Sequence, residues 1–210
     1  KDIYHYLDNV ARNDQYQMDR GFCHRLLRCS VVIWQFKNIE ELKTKYREVI
    51  DVLENSYAGE PNTSDLQQLK GMIREFEEEL VWAYNGVQVN HVHHLHLGFY
   101  QDKGITKGVN IERDVMPIVR QFREIQPDII SVTLDPEGSG PDTHYKVLQA
   151  TAAAVAEWSK EKDLSNVRIY GYRNVWFKFH PVDANMYVPV SLNALAVLDK
   201  SFAASYLSQV

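Results

Sequence analysis

With 210 residues, 45% of them hydrophobic and 24% charged, the chain suits one α/β domain of ordinary burial and leaves little room for a second. A formal net charge of -5 and the absence of any basic cluster argue against a general nucleic-acid binder. No apolar run approaches the ~18 residues of a membrane-crossing helix, and no leader pattern opens the chain, so a cytoplasmic protein is expected. Cys23 and Cys29 form no C-x-x-C pair and read as free thiols of a reducing compartment. The chain starts at Lys1 and runs almost at once into a helical pattern, as expected of a piece of something longer.

Between Asp2 and Leu27, the residues Ile3, Leu7, Val10, Met18, Phe22 and Leu26 recur every three or four positions, which predicts helix with a break near Asn13-Asp14 or Gly21. Ser30 to Phe36 holds Val31-Val32-Ile33-Trp34, a composition that suits a strand or part of a buried helical hairpin. Ile39 to Tyr57 predicts a helix with Leu42, Tyr46, Val49, Ile50 and Leu53 in one stripe, capped by Asn38 with Glu41 three residues on. After a loop, Ser64 opens another helix that carries Leu66, Leu69, Ile73, Phe76, Leu80 and Tyr84 on one side and stops at Asn85-Gly86.

Val87 to Leu97 reads as a strand with four histidines. Alternation sends His91 and His93 to one face and His94 and His96 to the other, so the four cannot converge on a metal, although a two-histidine site on one face stays open. Ile111 to Gln126 predicts a helix facing a sheet through Val115, Ile118, Val119 and Phe122, with Pro117 early or at a kink. Val167 to Tyr172 reads as a strand, and Arg173 to Pro189 as an aromatic, irregular segment of the kind that often carries function. Strands alternating with helices predict a mostly parallel sheet with right-handed crossovers.

The chemistry is expected around Pro127 to Lys146. Ile129, Ile130, Val132 and Leu134 make an apolar run without alternation, as in a parallel strand covered on both faces. The strand empties into Asp135-Pro136-Glu137-Gly138-Ser139-Gly140-Pro141-Asp142-Thr143-His144, and a helix from Tyr145 to Lys162 closes the loop. Ligands of open α/β sheets bind outside the carboxyl ends of strands, where this loop puts three carboxylates and a histidine. Ordinary turn chemistry, with Thr143 or Asp142 as a helix cap, is the competing reading.

The pattern Pro-Asp-Ile-Ile, then Asp-Pro-Glu-Gly, then a histidine opening a helix resembles the second metal motif of the LmbE-like superfamily, the zinc-dependent de-N-acetylases of amino-sugar conjugates. Three further stretches resemble that superfamily. They are Arg74-x-x-Glu77 before Asn85-Gly86-Val87, the segment Leu97-Gly98-Phe99-Tyr100-Gln101-Asp102, and the ending Lys200 to Gln209. The resemblance implies a Rossmann-like three-layer α/β sandwich, its mostly parallel sheet incomplete at the N-terminal edge. Residues 1–65 would be a mainly helical insertion and 66–210 the family-like core of a single domain.

Carried over residue by residue, the resemblance implies that His144 is a metal ligand and that Asp142 orients or tunes it. Arg74 and Asp102 would bind substrate. His180 would take the charge-stabilising role of a histidine that this chain lacks, since it reads Gly140-Pro141-Asp142-Thr143-His144 where the family reads His-Pro-Asp-His. Each has a plainer reading: a solvated ion pair for Arg74, a turn aspartate for Asp102, a histidine beneath an aromatic lid for His180. The family's early His-Pro-Asp-Asp strand is absent, and a catalytic zinc needs about three protein ligands. Zinc is therefore expected in an intact protein with an upstream strand, and no tight zinc in these residues by themselves.

The function so implied is part of a zinc-dependent amide hydrolase that frees the nitrogen of an N-acylated amino sugar. Some bacterial members are joined to a half that resembles glucosamine-6-phosphate deaminase/isomerase, which makes part of such a fusion the second reading. A non-catalytic carbohydrate-binding or assembly domain is the third. The expected partner is an amino-sugar small molecule, with neither nucleic acid nor a membrane span, and homo-oligomerisation stays open.

Overall fold

The computed structural model describes residues 1–57, 60–100, 108–134, 141–173 and 178–208. The chain is mixed α/β and mostly helical, with one two-stranded parallel sheet among the described residues. It divides into two units, Lys1–His94 with Pro189–Val210, and Leu95–Val188.

The first unit is helical. Helix α1 spans Asp2–Arg12 and α2 spans Gln15–Trp34. Between them Asn13 adopts the left-handed conformation that asparagine tolerates, and the Asp14 side chain accepts from the Gln17 N–H at 3.1 Å, so the chain restarts as a capped helix. The ambiguous Ser30 to Phe36 stretch is therefore mostly the last turns of α2, not a strand. Tertiary packing overrides its β-branched composition: Cys29 is buried, with Ile33 and Trp34 packed against its cluster, and the Ser30 hydroxyl donates to the Leu26 carbonyl at 2.8 Å.

Helix α3, Ile39–Asn55, is capped by Asn38, whose side-chain oxygen accepts from the Glu40 and Glu41 N–H groups at 3.0 Å. None of its residues is fully buried, and of the expected stripe Ile50 and Leu53 lie exposed. Helix α4, Ser64–Tyr84, ends at Asn85 and a Gly86 of positive φ (89°). Its Phe76 and Leu80 have no exposed surface and pack with Ile3 and Tyr6 of α1. Burial of each such side chain is worth about 1.5–3 kcal/mol.

The stretch predicted as a histidine-bearing strand is instead a single 3-10 turn, Val89–His91, followed by irregular chain. No strand partner lies beside it among the described residues, and an unpaired strand has nothing to satisfy its backbone groups.

In the second unit, a π-type turn at Ile111–Val115 leads into α5, Met116–Ile125, with Pro117 in the first turn, where its missing N–H costs nothing. Strand β1 is Ile129–Thr133, α6 is Asp142–Trp158, and β2 is Arg168–Tyr172. The strands pair in parallel with Ile129 opposite Arg168 and Thr133 opposite Tyr172. Helix α6 thus starts at Asp142, three residues earlier than expected, with Pro141 at the cap position. Ile130 joins a core with Val119 and Phe122 of α5 and Ala150, Ala154 and Trp158 of α6, where the Phe122 and Trp158 rings lie 5.3 Å apart. The expectation of a β1 buried on both faces is corrected: Ile130 and Val132 are buried, while Ile129 on the other face is 55% exposed. Helix α7, Leu192–Ser205, belongs to the first unit and packs on α4.

Candidate functional site

The carboxyl end of β1 and the first turn of α6 lie within the second unit, where the sequence points. Leu134, just past β1, donates its N–H to the Tyr172 carbonyl at 2.8 Å, so both strands end at the same level. Asp142 and His144 sit in the first turn of α6, a place where the helix dipole favours an anionic group such as the Asp142 carboxylate. That carboxylate pairs with Lys146 one turn on at 2.6 Å; the Lys146 side chain is 11% exposed, so the ammonium is held against the helix rather than offered to solvent. The His144 ring is half-buried at the same helix end. Residues 135–140, which hold Asp135 and Glu137, lie outside the described residues.

His180 is exposed, and its Nδ1 accepts from the Val182 N–H at 3.4 Å within a local turn. Trp176 and Phe177 of the expected aromatic lid lie outside the described residues. Asp102 lies outside the described residues. The segment that leads toward it is tied by Asp114, which the sequence did not single out. This carboxylate has no exposed surface and accepts from the Gly98 N–H at 2.7 Å, the Asn110 N–H at 2.8 Å, and Arg113 Nε at 2.9 Å and Nη2 at 2.7 Å. The Arg113 bonds, followed by the two backbone donors, outweigh burial and hold its carboxyl below the usual carboxylate range. A Cβ on Gly98 would lie 1.9 Å from Arg113 Nε, so the position requires glycine for close approach.

Arg74 belongs to the first unit. It is exposed and lies 3.6 Å from Glu77, one turn further along α4. Glu77 is fully buried and accepts from the Ser208 N–H at 2.6 Å and the Ser208 hydroxyl at 3.0 Å, while the Tyr206 hydroxyl donates to Glu78 at 2.5 Å. Burial, then the Glu78 carboxylate, pushes the Tyr206 phenol well above its ordinary value. Two stretches singled out by resemblance, Arg74-x-x-Glu77 and the chain end, thus meet: the glutamate clamps the segment that follows α7. An i, i+3 ion pair was legible in the sequence, but a contact spanning 131 residues was not.

The histidines do not assemble. His91, His93 and His96 are exposed, and His94 Nε2 lies 3.7 Å from Glu79. Among the described residues no group of three or more His, Cys, Asp or Glu side chains is arranged to hold a metal. One imidazole on α6, next to an aspartate already paired with lysine, does not make up a zinc donor set. A separate open groove of about 600 Å³, lined by Trp34, Phe36, Glu41 and Lys45 among others, contains none of the expected site residues.

The fold so far defines a class, a mostly helical α/β protein with one parallel strand pair among the described residues. No family model matches the chain, and no solved structure matches it. A protein of Bacteroides thetaiotaomicron, described as glucosamine-6-phosphate deaminase-like, is 34% identical over 163 residues, or 74% of this chain. The chain spans 24%, about a quarter, of that relative's length.

Proposed function

We propose that this chain is one part of a larger amino-sugar-processing protein, in which the end of β1 and the first turn of α6 form half of a site that hydrolyses an N-acyl amide. The observation that carries the proposal is the coincidence of two independent pointers. The relative's description concerns an amino sugar, and Asp142 and His144 open the helix that follows a parallel strand in chain order, the position at which α/β sheets commonly bind ligands. The proposal includes the fold. Two parallel strands joined through a helix are the building unit of a Rossmann-like sandwich, and β1, which carries no charged residue, suits an interior strand that awaits a further neighbour.

In this reading His144 presents an imidazole to the crevice and Asp142, held by Lys146, fixes the charge beside it. Asp102 binds the sugar, and His180 stabilises developing charge from the segment after β2. In the reaction, a water oxygen bonds to the amide carbon, the carbon–nitrogen bond breaks, and a carboxylic acid and a free sugar amine leave. Among the described residues no donor set for zinc is assembled, and no step is assigned to a metal.

The relative's name favours a second reading, in which the larger protein removes the sugar nitrogen itself as ammonia. The products separate the two. N-acetylglucosamine 6-phosphate should yield acetate and glucosamine 6-phosphate if the amide-hydrolase reading holds. Ammonia released from glucosamine 6-phosphate, with no acetate from the acetylated sugar, would favour deamination, and neither product would leave a binding role.

A further inference from the structure

The groove of about 600 Å³ in the first unit is built by one stretch of chain: the end of α2, the link after it and the first turns of α3. Trp34 and Phe36 form two of its walls, with ring centroids 5.7 Å apart and planes at 52°. The indole is fixed before any ligand arrives. Its N–H donates to Asp65 at 2.7 Å, the Tyr46 ring meets it edge-on, and Lys45 Nζ lies 5.5 Å from its centroid. Phe36 is half-buried yet belongs to none of the buried clusters among the described residues, so the core does not account for it.

The polar lining is unbalanced. Glu40, Glu41 and Glu48 face the single ammonium of Lys45, which is itself shared with Asp65 at 3.3 Å. Glu40 is paired with Lys43 at 2.9 Å. Glu41 is oriented by the Lys37 N–H and the Asn38 side-chain amide, each at 3.0 Å on a different oxygen, so both oxygens can accept again. Glu48 is 60% exposed and lies 3.5 Å from Lys45.

We propose that this groove binds a sugar ring that carries a free, protonated amine. The inference concerns the other unit from His144 and is independent of the amide-hydrolase reading. The excess of carboxylate attracts a cation and disfavours phosphorylated or acidic sugars. Lys45 already holds a cation position over the indole, so a ligand's charge is met by Glu41 and Glu48, and the aromatic walls are left for an apolar face. A hexosamine offers both, with an ammonium at the ring edge, hydroxyls that donate to carboxylates and a C–H face that packs on aromatic rings. The volume lies within the ~300–1,000 Å³ of small-molecule sites.

The test is isothermal titration of the whole natural protein with the β1,4-linked disaccharide of glucosamine, set against its di-N-acetylated form, at pH ~6.5, where an amine of ordinary basicity is protonated. The amine form should bind once per chain and severalfold more tightly than the acetylated one. Phe36→Ala should weaken it about tenfold. Glu48→Lys, an exposed change that leaves Tm within about 2 °C, should weaken it roughly threefold or more, and it decides the matter if Phe36→Ala lowers stability. His144→Ala should leave it unchanged, while the products of the hydrolysis assay bear on the other reading alone. Absence of binding, equal affinity for the two sugars, or binding indifferent to Glu48→Lys would overturn the proposal. So would binding that is lost in His144→Ala.

Discussion

Asp114 gathers four donors onto a carboxylate that water does not reach, and three of its partners, Gly98, Asn110 and Arg113, sit at the two ends of the segment that contains Asp102. Removing its charge leaves the Arg113 guanidinium beside a neutral group. Asp114→Asn should therefore destabilise the protein by about 3 kcal/mol, read from denaturant unfolding. The same residue sets a pH dependence. Its carboxyl titrates lower in the folded chain than the ~3.9 of an unfolded aspartate, so its contribution is fully present above pH ~4. It is lost as pH falls from there through the folded-state value. Asp114→Asn should remove that part of the acid sensitivity, and an acid unfolding curve with unchanged steepness below pH ~4 would contradict the assignment. Glu77 is a buried carboxylate of the same kind, satisfied by the backbone and hydroxyl of Ser208. Neither was legible in the sequence as a buried group, because both look like helix-surface acids until a distant backbone N–H arrives.

Among the elements, those with strong local signals were legible and those that depend on a partner were not. Asn38 and Asn85-Gly86 mark real helix ends, and the Ile129–Thr133 and Arg168–Tyr172 strands form where β-branched and aromatic residues predict them. Val31-Val32-Ile33-Trp34 went into a helix because packing against Cys29 outweighed its propensity, and the four-histidine stretch formed no strand because no neighbour pairs with it. The parallel pairing also makes a demand that the sequence hides. A Cβ on Gly171 would lie 2.6 to 2.7 Å from the Leu134 side chain, at the end of the strand pair beside the candidate site. Gly171→Ala should cost about 1–3 kcal/mol, and adding Leu134→Ala should recover part of that loss despite the cavity it makes. Strictly additive losses in the double variant would show that the two side chains do not meet.

For the molecule as a whole, the sequence was right about mixed α/β content and a parallel sheet, and it marked the Asp142 to His144 turn as the opening of a helix beside a strand end. The layered sandwich goes further than the described residues, among which a single strand pair is present. Burial on both faces of β1 was read from its composition, and composition is silent about whether the covering polypeptide lies in the same 210 residues. The central claim is that the His144 end of α6 meets an amino sugar. It is tested most directly by following the histidine ring signals in a 15N-labelled sample of the whole natural protein by NMR as N-acetylglucosamine 6-phosphate is added, with His144→Ala used to assign the His144 signal. The account predicts a saturable shift of the His144 ring while His91 and His93 stay in place. A His144 signal that does not move at saturating sugar, or a saturable shift at His91 and His93 instead, would contradict it.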